Sequence, residues 1–514
     1  MSMDTLRDRA VLVLGLGISG LAMLRWCALQ GARVRAADSR AAPPGLAALR
    51  EALPQVEVQL GTPGAGLLDG VDLVCVSPGI APADAAFGEL LGQARERGID
   101  VRGELSLFAH ALRDLHEAQG YAPALIGITG TNGKTTVTAL TARLLQAAGL
   151  DAVVAGNIGP AMLDVLAERL REQRLPQAWV LELSSFQLHG VGDFAASASS
   201  VLNVTQDHLD WHGSMQAYAD DKARIFGPLP WTLPGVPGLM LLNRDDPRVM
   251  AMRREGRRMQ SFGLDAPRRP GEWGVVREHG MDWLARTPVA DDEAPKPSRR
   301  ARRVESDEAP PPRAQHLMPA DALRIRGRHN QANALAALAL AASTGAPLAP
   351  MLHGLREYRG EPHRMQSLGV LEGVEWIEDS KGTNVGATVA ALAGMDRPVL
   401  LIAGGDGKGQ DFSPLAQAAR ARVRCALLIG RDAAALEQAL EGCCERERCA
   451  DLGEAVRRAA LLARSGEVVL LSPACASLDM FRDYKQRAEV FARELAEVAA
   501  QRGVVLDVCE EART

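Results

Sequence analysis

The run T-G-T-N-G-K-T-T at residues 129–136 is the strongest chemical signal in the chain. An apolar, strand-like run at 124–128 precedes it. After it, Val137, Leu140, Leu144 and Leu145 fall on one helical face. Strand, glycine-bearing loop and helix start, in that order, predict a phosphate-binding loop. Gly130, Thr131, Asn132, Gly133, Lys134, Thr135 and Thr136 form the expected ATP-binding set. Backbone N–H groups at a helix start cradle phosphate oxygens. The Lys134 ammonium reaches the terminal phosphates, and the Thr135 hydroxyl ligates magnesium. The general pattern would place one more glycine where this chain has Ile128.

A second glycine turn, G-L-G-I-S-G at 15–20, follows the strand-like run 10–14, and Asp38 ends the next strand. That is a dinucleotide fingerprint with an acid about 20 residues on. NAD is one reading. The other is the diphosphate of a different nucleotide, which sits better beside a loop built for ATP.

Several polar residues fall at the ends of apolar runs, where α/β proteins place ligand groups. Glu182 follows the run 179–181 in E-L-S-S-F-Q-L. His208 follows a run at 201–204 in N-V-T-Q-D-H-L-D-W-H-G. A carboxylate and an imidazole beside a nucleotide suit magnesium, although His208 taken alone reads first as a satisfied structural histidine. Lys222, in Y-A-D-D-K-A-R-I-F, reads on its own as a surface lysine on a helix. Asn330 and Asn333 share a face of an Ala/Leu helix at 330–342, either as ligands or as caps. Further on stand P-H-R at 362–364, E-D-S-K-G-T-N at 378–384, G-G-D-G-K-G at 404–409 and S-P-A-C-A-S-L-D at 472–479. The last three follow strand-like runs, so Lys381, Thr383, Lys408 and Ser477 should rim one sheet edge and suit an anionic substrate.

The elements that must hold these residues alternate throughout. Strand-like runs at 10–14, 73–76, 124–128, 179–181, 201–204, 399–402, 426–429 and 468–471 are separated by helical stretches, including one at 485–500. This predicts α/β units with parallel sheets covered on both faces. The 514 residues suggest about three domains, and 47% hydrophobic residues suffice for three cores. With 58 basic and 63 acidic residues, net −5, no basic face for nucleic acid is expected. There is no apolar run long enough for a membrane span and no signal-like start, so the expected compartment is the cytoplasm. The eight cysteines lack C-x-x-C pairs and read as free thiols. Residues 289–315, rich in charge and proline, read as a disordered insertion.

Taken together, G-L-G-I-S-G, S-P-G-I (77–80), T-G-T-N-G-K-T-T, G-N-I-G (156–159), E-L-S-S-F-Q-L, D-H-L-D-W-H-G, D-S-K-G-T-N and S-P-A-C-A-S-L-D resemble the Mur ligases. These are ATP-dependent amide-bond-forming enzymes of peptidoglycan synthesis. The resemblance spans nearly the whole chain outside the insertion and is closest to the branch that adds D-glutamate to UDP-N-acetylmuramoyl-L-alanine. It implies three α/β domains: a Rossmann-like UDP-sugar domain (1–103), a central P-loop-type ATPase with a mostly parallel sheet (104–360), and a Rossmann-like amino-acid domain (361–514). It redirects the first glycine turn to UDP. Ile18, Ser19, Asp38, Ser39, Ser77 and Gly79 are then the nucleotide contacts, with Asn157 and Gln187 at the sugar end. It implies a carbamylated Lys222 and two magnesium ions, one on Thr135 and Glu182, the other on Glu182, His208 and Lys222. Asn330, Asn333, His363, Arg364 and Asp379 match positions around ATP, and Lys381 reaches toward its phosphates. Thr383, Lys408, Ser477 and Tyr484 match the D-glutamate pocket, Tyr484 standing where the family often has Phe. A monomer acting on small molecules is expected. The competing expectations are a sister ligase for another amino acid, and a nucleotide-binding regulator or NAD-dependent dehydrogenase.

Overall fold

The computed structural model describes residues 6–64, 66–228, 238–289, 313–504 and 506. It is a three-domain α/β protein with one sheet per domain. The first sheet holds β1 (Ala10–Leu14), β2 (Arg33–Asp38), β3 (Glu57–Leu60), β4 (Leu73–Val76) and β5 (Asp100–Arg102). They run parallel in the order β3-β2-β1-β4-β5. All five residues of β1 are buried, as expected when helices cover both faces of a parallel sheet.

The second sheet holds β6 (Ala124–Thr129), β7 (Ala152–Gly156), β8 (Ala178–Glu182), β9 (Ala198–Val201), β10 (Leu239–Asn243), β11 (Met259–Phe262), β12 (Glu272–Glu278), β13 (Met281–Arg286) and β14 (Gln315–Pro319). Their order is β14-β13-β12-β11-β10-β9-β6-β8-β7. The sheet is parallel from β7 to β12, and β13 and β14 add an antiparallel edge in which Arg286 pairs with Gln315. Helices Lys134–Ala147 and Arg328–Ala342 pack against each other beside this sheet, burying Val137, Leu140 and Leu144 against Leu335 and Leu338.

The third sheet holds β15 (Gln366–Leu371), β16 (Val374–Glu378), β17 (Val399–Gly404), β18 (Val423–Ile429), β19 (Glu445–Arg448) and β20 (Val468–Leu471), in the order β15-β16-β20-β17-β18-β19. Only β15 is antiparallel to its neighbour.

The alternating α/β reading holds, and β1, β4 and β20 match the expected runs end to end. The expected strand at 201–204 is displaced: β9 is Ala198–Val201. Asn203 leaves the ladder to bond the loop after β6. Its carbonyl accepts from Thr131 N (2.9 Å), its side chain accepts from Asn132 N (2.8 Å), and it donates to the Asn132 carbonyl (3.0 Å). Of the expected insertion, 290–312 lies outside the described residues, and Gln315 already belongs to β14. The seven described cysteines are free thiols. No helix among the described residues is long and apolar enough to cross a membrane.

Candidate active site

The loop after β6 turns into helix Lys134–Ala147 through Gly133, whose φ of +84° only glycine adopts without strain. A Cβ there would also lie 2.7 Å from Asn333 Oδ1, so the loop and helix Arg328–Ala342 touch without a side chain between them. Lys134 Nζ donates to the carbonyls of Gly130 (2.9 Å) and Thr131 (2.8 Å). Burial holds its pKa below the usual lysine range, against the pull of Glu182 and Asp207.

Three further segments converge on this loop. Glu182 ends β8, and Asn157 Nδ2 donates to its Oε1 (3.0 Å). Its Oε2 is buried and has no hydrogen-bond partner among the described residues, a costly arrangement unless a ligand completes it. His208 sits in the left-handed region (φ +54°), edge-on to Phe186 at 4.7 Å. Burial, reinforced by Lys408, Lys134 and Lys222, pushes its imidazole down to about 4, so it is neutral near pH 7. Lys222 is not the surface lysine its own segment suggested: it is 1% exposed, because Tyr218, Asp221 and Lys222 form the inward face of helix Met215–Ala223. Its Nζ donates to the Gly130 carbonyl (3.0 Å) and lies 4.3 Å from the Tyr218 ring centre. Burial and the neighbouring Lys134 hold it well below the ordinary lysine value.

No group of three His, Cys, Asp or Glu side chains among the described residues is arranged to hold a metal. The unpaired Glu182 oxygen and the Thr135 hydroxyl nonetheless fit magnesium, which takes one or two protein carboxylates and completes its shell with phosphates and water; Lys222 as an amine offers the ion no oxygen.

Across from the loop, a cavity of about 320 Å³ opens between the second and third domains. Asn132, Gly133, Asn330, Asn333, Arg364, Asp379 and Lys381 are among the residues that line it. Asn333 Nδ2 donates to Asn330 Oδ1 (3.0 Å), and Asn330 Nδ2 donates to the Arg326 carbonyl (2.8 Å). Arg364 donates to the Thr135 hydroxyl. Asp379 is pushed up to about 7 by burial, while Ser472 donates to it at 2.8 Å. Lys381 Nζ lies 3.9 Å from the Tyr484 ring centre, and burial lowers it to about 8. His363 does not line this cavity; its Nδ1 is bonded to Glu378 (2.9 Å) and its ring meets Tyr484 edge-on.

Thr383 and the exposed Lys408 stand on neighbouring loops of the third domain, Lys408 close enough to act on His208. Ser477 is buried on the loop after β20. Arg487, fully buried, ties these loops together by donating to the carbonyls of Ser380 (2.8 Å) and Cys475 (3.1 Å). Sequence reasoning missed a contact that joins the domains. Asn132 and Asn384 donate to each other's amide oxygens (3.1 and 3.0 Å), and Asn384 also donates to Asp207 (3.3 Å). Asn384 lay within a quoted motif, but nothing in its spacing tied it to residue 132.

At the first glycine turn, Asp38 is buried and fully engaged. It accepts from Leu16 N (2.7 Å) and from Arg40 Nε (2.8 Å) and Nη2 (2.7 Å), and sits at about 2 despite its burial. No free carboxylate remains for the ribose hydroxyls that NAD would present. Ser77 Oγ donates to the Gly15 carbonyl (2.8 Å), and Ser19 bonds Glu104. Ile18 and Ser39 are exposed, and Gly79 borders open space. Gln187 caps its own short helix with Ser184 and lines, with Ser77, a second cavity of about 200 Å³ between the first and second domains.

Comparison with known proteins agrees with this arrangement domain by domain. Residues 9–103 match the model of the Mur ligase MurD-like N-terminal domain, 128–282 the Mur ligase middle domain, and 363–475 the Mur ligase glutamate ligase domain. The UDP-N-acetylmuramoylalanine--D-glutamate ligase of Cupriavidus pinatubonensis is 55% identical over 96% of this chain and 98% of its own. That of Ralstonia nicotianae is 53% identical over the same shares. Among solved structures, MurF from Acinetobacter baumannii shares the fold at a TM-score of 0.58 and 16% identity, covering 97% of this chain and 92% of that one. MurF from Thermotoga maritima, in complex with ADP, does so at 0.56 and 14%, covering 97% of each. The chain belongs to the Mur ligase family.

Proposed function

We propose that this protein joins D-glutamate to UDP-N-acetylmuramoyl-L-alanine at the expense of ATP, a step of peptidoglycan precursor synthesis. The observation that carries the reading is the convergence of Glu182, His208 and Lys222 on the loop of Lys134, in a chain more than half identical to ligases named for this reaction. In this reading domain 1–103 binds the UDP-sugar, 104–360 the ATP and 361–514 the amino acid. The enzyme is a cytoplasmic monomer acting on small molecules.

A carboxylate is a poor electrophile, so the acceptor carboxylate first takes the γ-phosphoryl group of ATP, releasing ADP and leaving an acyl phosphate. The free amine of D-glutamate then attacks the acyl carbon, and phosphate leaves as the amide forms. Loop amides and Lys134 bind the triphosphate, and Lys134 and Arg364 neutralise charge that develops during transfer. Two magnesium ions, when bound, supply further charge neutralisation and orient the acceptor carboxylate. Thr135, Glu182, His208 and a carbamylated Lys222 hold them. The low pKa of Lys222 supports that modification, because the neutral amine is the form that adds CO₂. Asn330, Asn333, His363 and Asp379 surround the nucleotide, with Lys381 toward its phosphates. Thr383, Lys408, Ser477 and Tyr484 receive D-glutamate. Ile18, Ser19, Ser39, Ser77 and Gly79 hold UDP around the turn that Asp38 shapes, and Asn157 and Gln187 hold the sugar. Closure of the third domain excludes water that would destroy the acyl phosphate.

The test is amino-acid dependence. Purified protein with UDP-N-acetylmuramoyl-L-alanine, magnesium and ATP should release phosphate only on addition of D-glutamate. Release with L-alanine or diaminopimelate instead would move the assignment to a sister ligase.

A further inference from the structure

The three segments that bring Glu182, His208 and Lys222 together are joined a second time. Ser185 Oγ lies 2.9 Å from His212 Nε2, and His212 Nδ1 lies 3.0 Å from Asp221 Oδ2. Ser185 stands three residues after Glu182, His212 four after His208, and Asp221 directly before Lys222. A carboxylate only accepts, so Nδ1 carries a proton; in the neutral ring Nε2 then accepts from the serine hydroxyl. His189 Nδ1 reaches the same carboxylate at 2.9 Å and Arg224 Nε at 3.3 Å; against its burial, the bonds from His189 and His212 hold Asp221 well below the usual carboxylate range.

The His212 side chain has no solvent exposure. Its ring is stacked on Phe186 (5.6 Å, 14° between planes) and packed between Trp211 (4.4 Å) and Tyr218 (5.1 Å). Tyr218 is the ring that Lys222 Nζ overlies, and its hydroxyl lies 3.1 Å from Thr131 Oγ1 of the phosphate loop. His212 thus bears on Lys222 by two routes, through Asp221 along the backbone and through the face of Tyr218.

We propose that Ser185, His212 and Asp221 are positioning residues for the ligation, a buried chain that holds the Lys222 side chain in register with Glu182 and His208. None of the three lines either cavity described above, so the chain acts through Lys222. The proposal rests on the reading of Lys222 given above, and its test separates the two.

The intact enzyme is prepared with His212→Phe, which keeps the stacked ring and removes both nitrogens, with His212→Gln, which restores a donor and an acceptor, and with Lys222→Ala. Each is examined for the carbamate carbon by NMR after exposure to ¹³C-bicarbonate, for melting temperature, and for kcat and KM. In His212→Phe the carbamate signal should fall at least about fivefold and kcat about tenfold, with KM for ATP within about twofold of the parent. His212→Gln should recover a substantial part of both. A folded His212→Phe with parental signal and kcat, beside an inactive Lys222→Ala, overturns the positioning role and leaves the reading of Lys222 intact. A fully active Lys222→Ala overturns that reading itself. If His212→Phe does not fold, Asp221→Asn and Ser185→Ala decide by the same criteria. A lowered melting temperature with carbamate and kcat retained in them also overturns the proposal.

Discussion

Lys134 and Lys222 share one acceptor: both side-chain nitrogens donate to the carbonyl oxygen of Gly130, at 2.9 and 3.0 Å. Burial holds each amine below its ordinary value, and the neighbouring Lys134 lowers Lys222 further. One lies within the phosphate loop and the other on a helix that arrives about 90 residues later, so their loss should have different consequences. Lys134→Ala is expected to abolish ATP turnover while calorimetric binding of the UDP-linked acceptor stays within about threefold. Lys222→Ala should lower kcat by at least about a hundredfold, the scale of removing one preorganised electrostatic group. Short-chain carboxylic acids, supplying the missing carboxylate, should restore part of it. Full unaided activity in Lys222→Ala would refute the carbamate role.

The Asn132–Asn384 pair joins the phosphate loop to the third domain, and Asn384 also caps helix Val385–Ala393 by accepting from Ala387 N (2.9 Å). Asn384→Ser keeps a capping oxygen and loses the pair. Its kcat should fall about tenfold with little change in melting temperature. Asn384→Asp keeps the cap too but sets a carboxylate against Asp207 and the Asn132 amide oxygen. It should be the more damaging of the two for turnover, and steady-state kinetics of both variants decide.

Asp38 shapes the first glycine turn by accepting from Leu16 N. Asp38→Ala leaves that buried N–H unpaired, at a cost of about 1–3 kcal/mol, and frees Arg40. Denaturant unfolding should show that loss, and KM for the UDP-linked acceptor should rise while KM for ATP does not. NAD should not bind the parent or the variant.

Asp379 carries a pH signature. Burial raises it from 3.8 to about 7, so the folded protein keeps a proton that the unfolded chain releases. The stability this group contributes is complete below the unfolded value of 3.8 and is lost as pH rises through the folded value near 7. Asp379→Asn is neutral throughout. Its melting temperature relative to the parent should climb from pH 5 to pH 7 and level off above, as followed by scanning calorimetry. A pH-independent difference would place the carboxyl in its ionised form across that range.

What the sequence disclosed follows physical lines. Runs such as Ala10–Leu14 and Val468–Leu471 are apolar on both faces because helices cover both sides, and their ends are sharp. Ala198–Val201, with two serines, offers no such contrast, and its Ser200 hydroxyl is satisfied by the Leu241 carbonyl (2.9 Å), a partner 41 residues away. The phosphate loop was legible because it is local: strand, turn and helix are contiguous. The burial of Lys222 was not, since a lysine between Asp221 and Ala223 looks solvated until the loop it meets is known. Contacts between distant segments, such as Asn132 with Asn384 or Ser185 with His212 and Asp221, leave no mark in spacing and emerge only from the fold.

The pairing of Arg286 with Gln315 at the outer edge of the second sheet has a practical use. Both residues lie on the sheet's rim, several strands from β6. A tag carried at this rim would enter the fold several strands from the phosphate loop that follows β6, a position from which the enzyme could be followed in living cells.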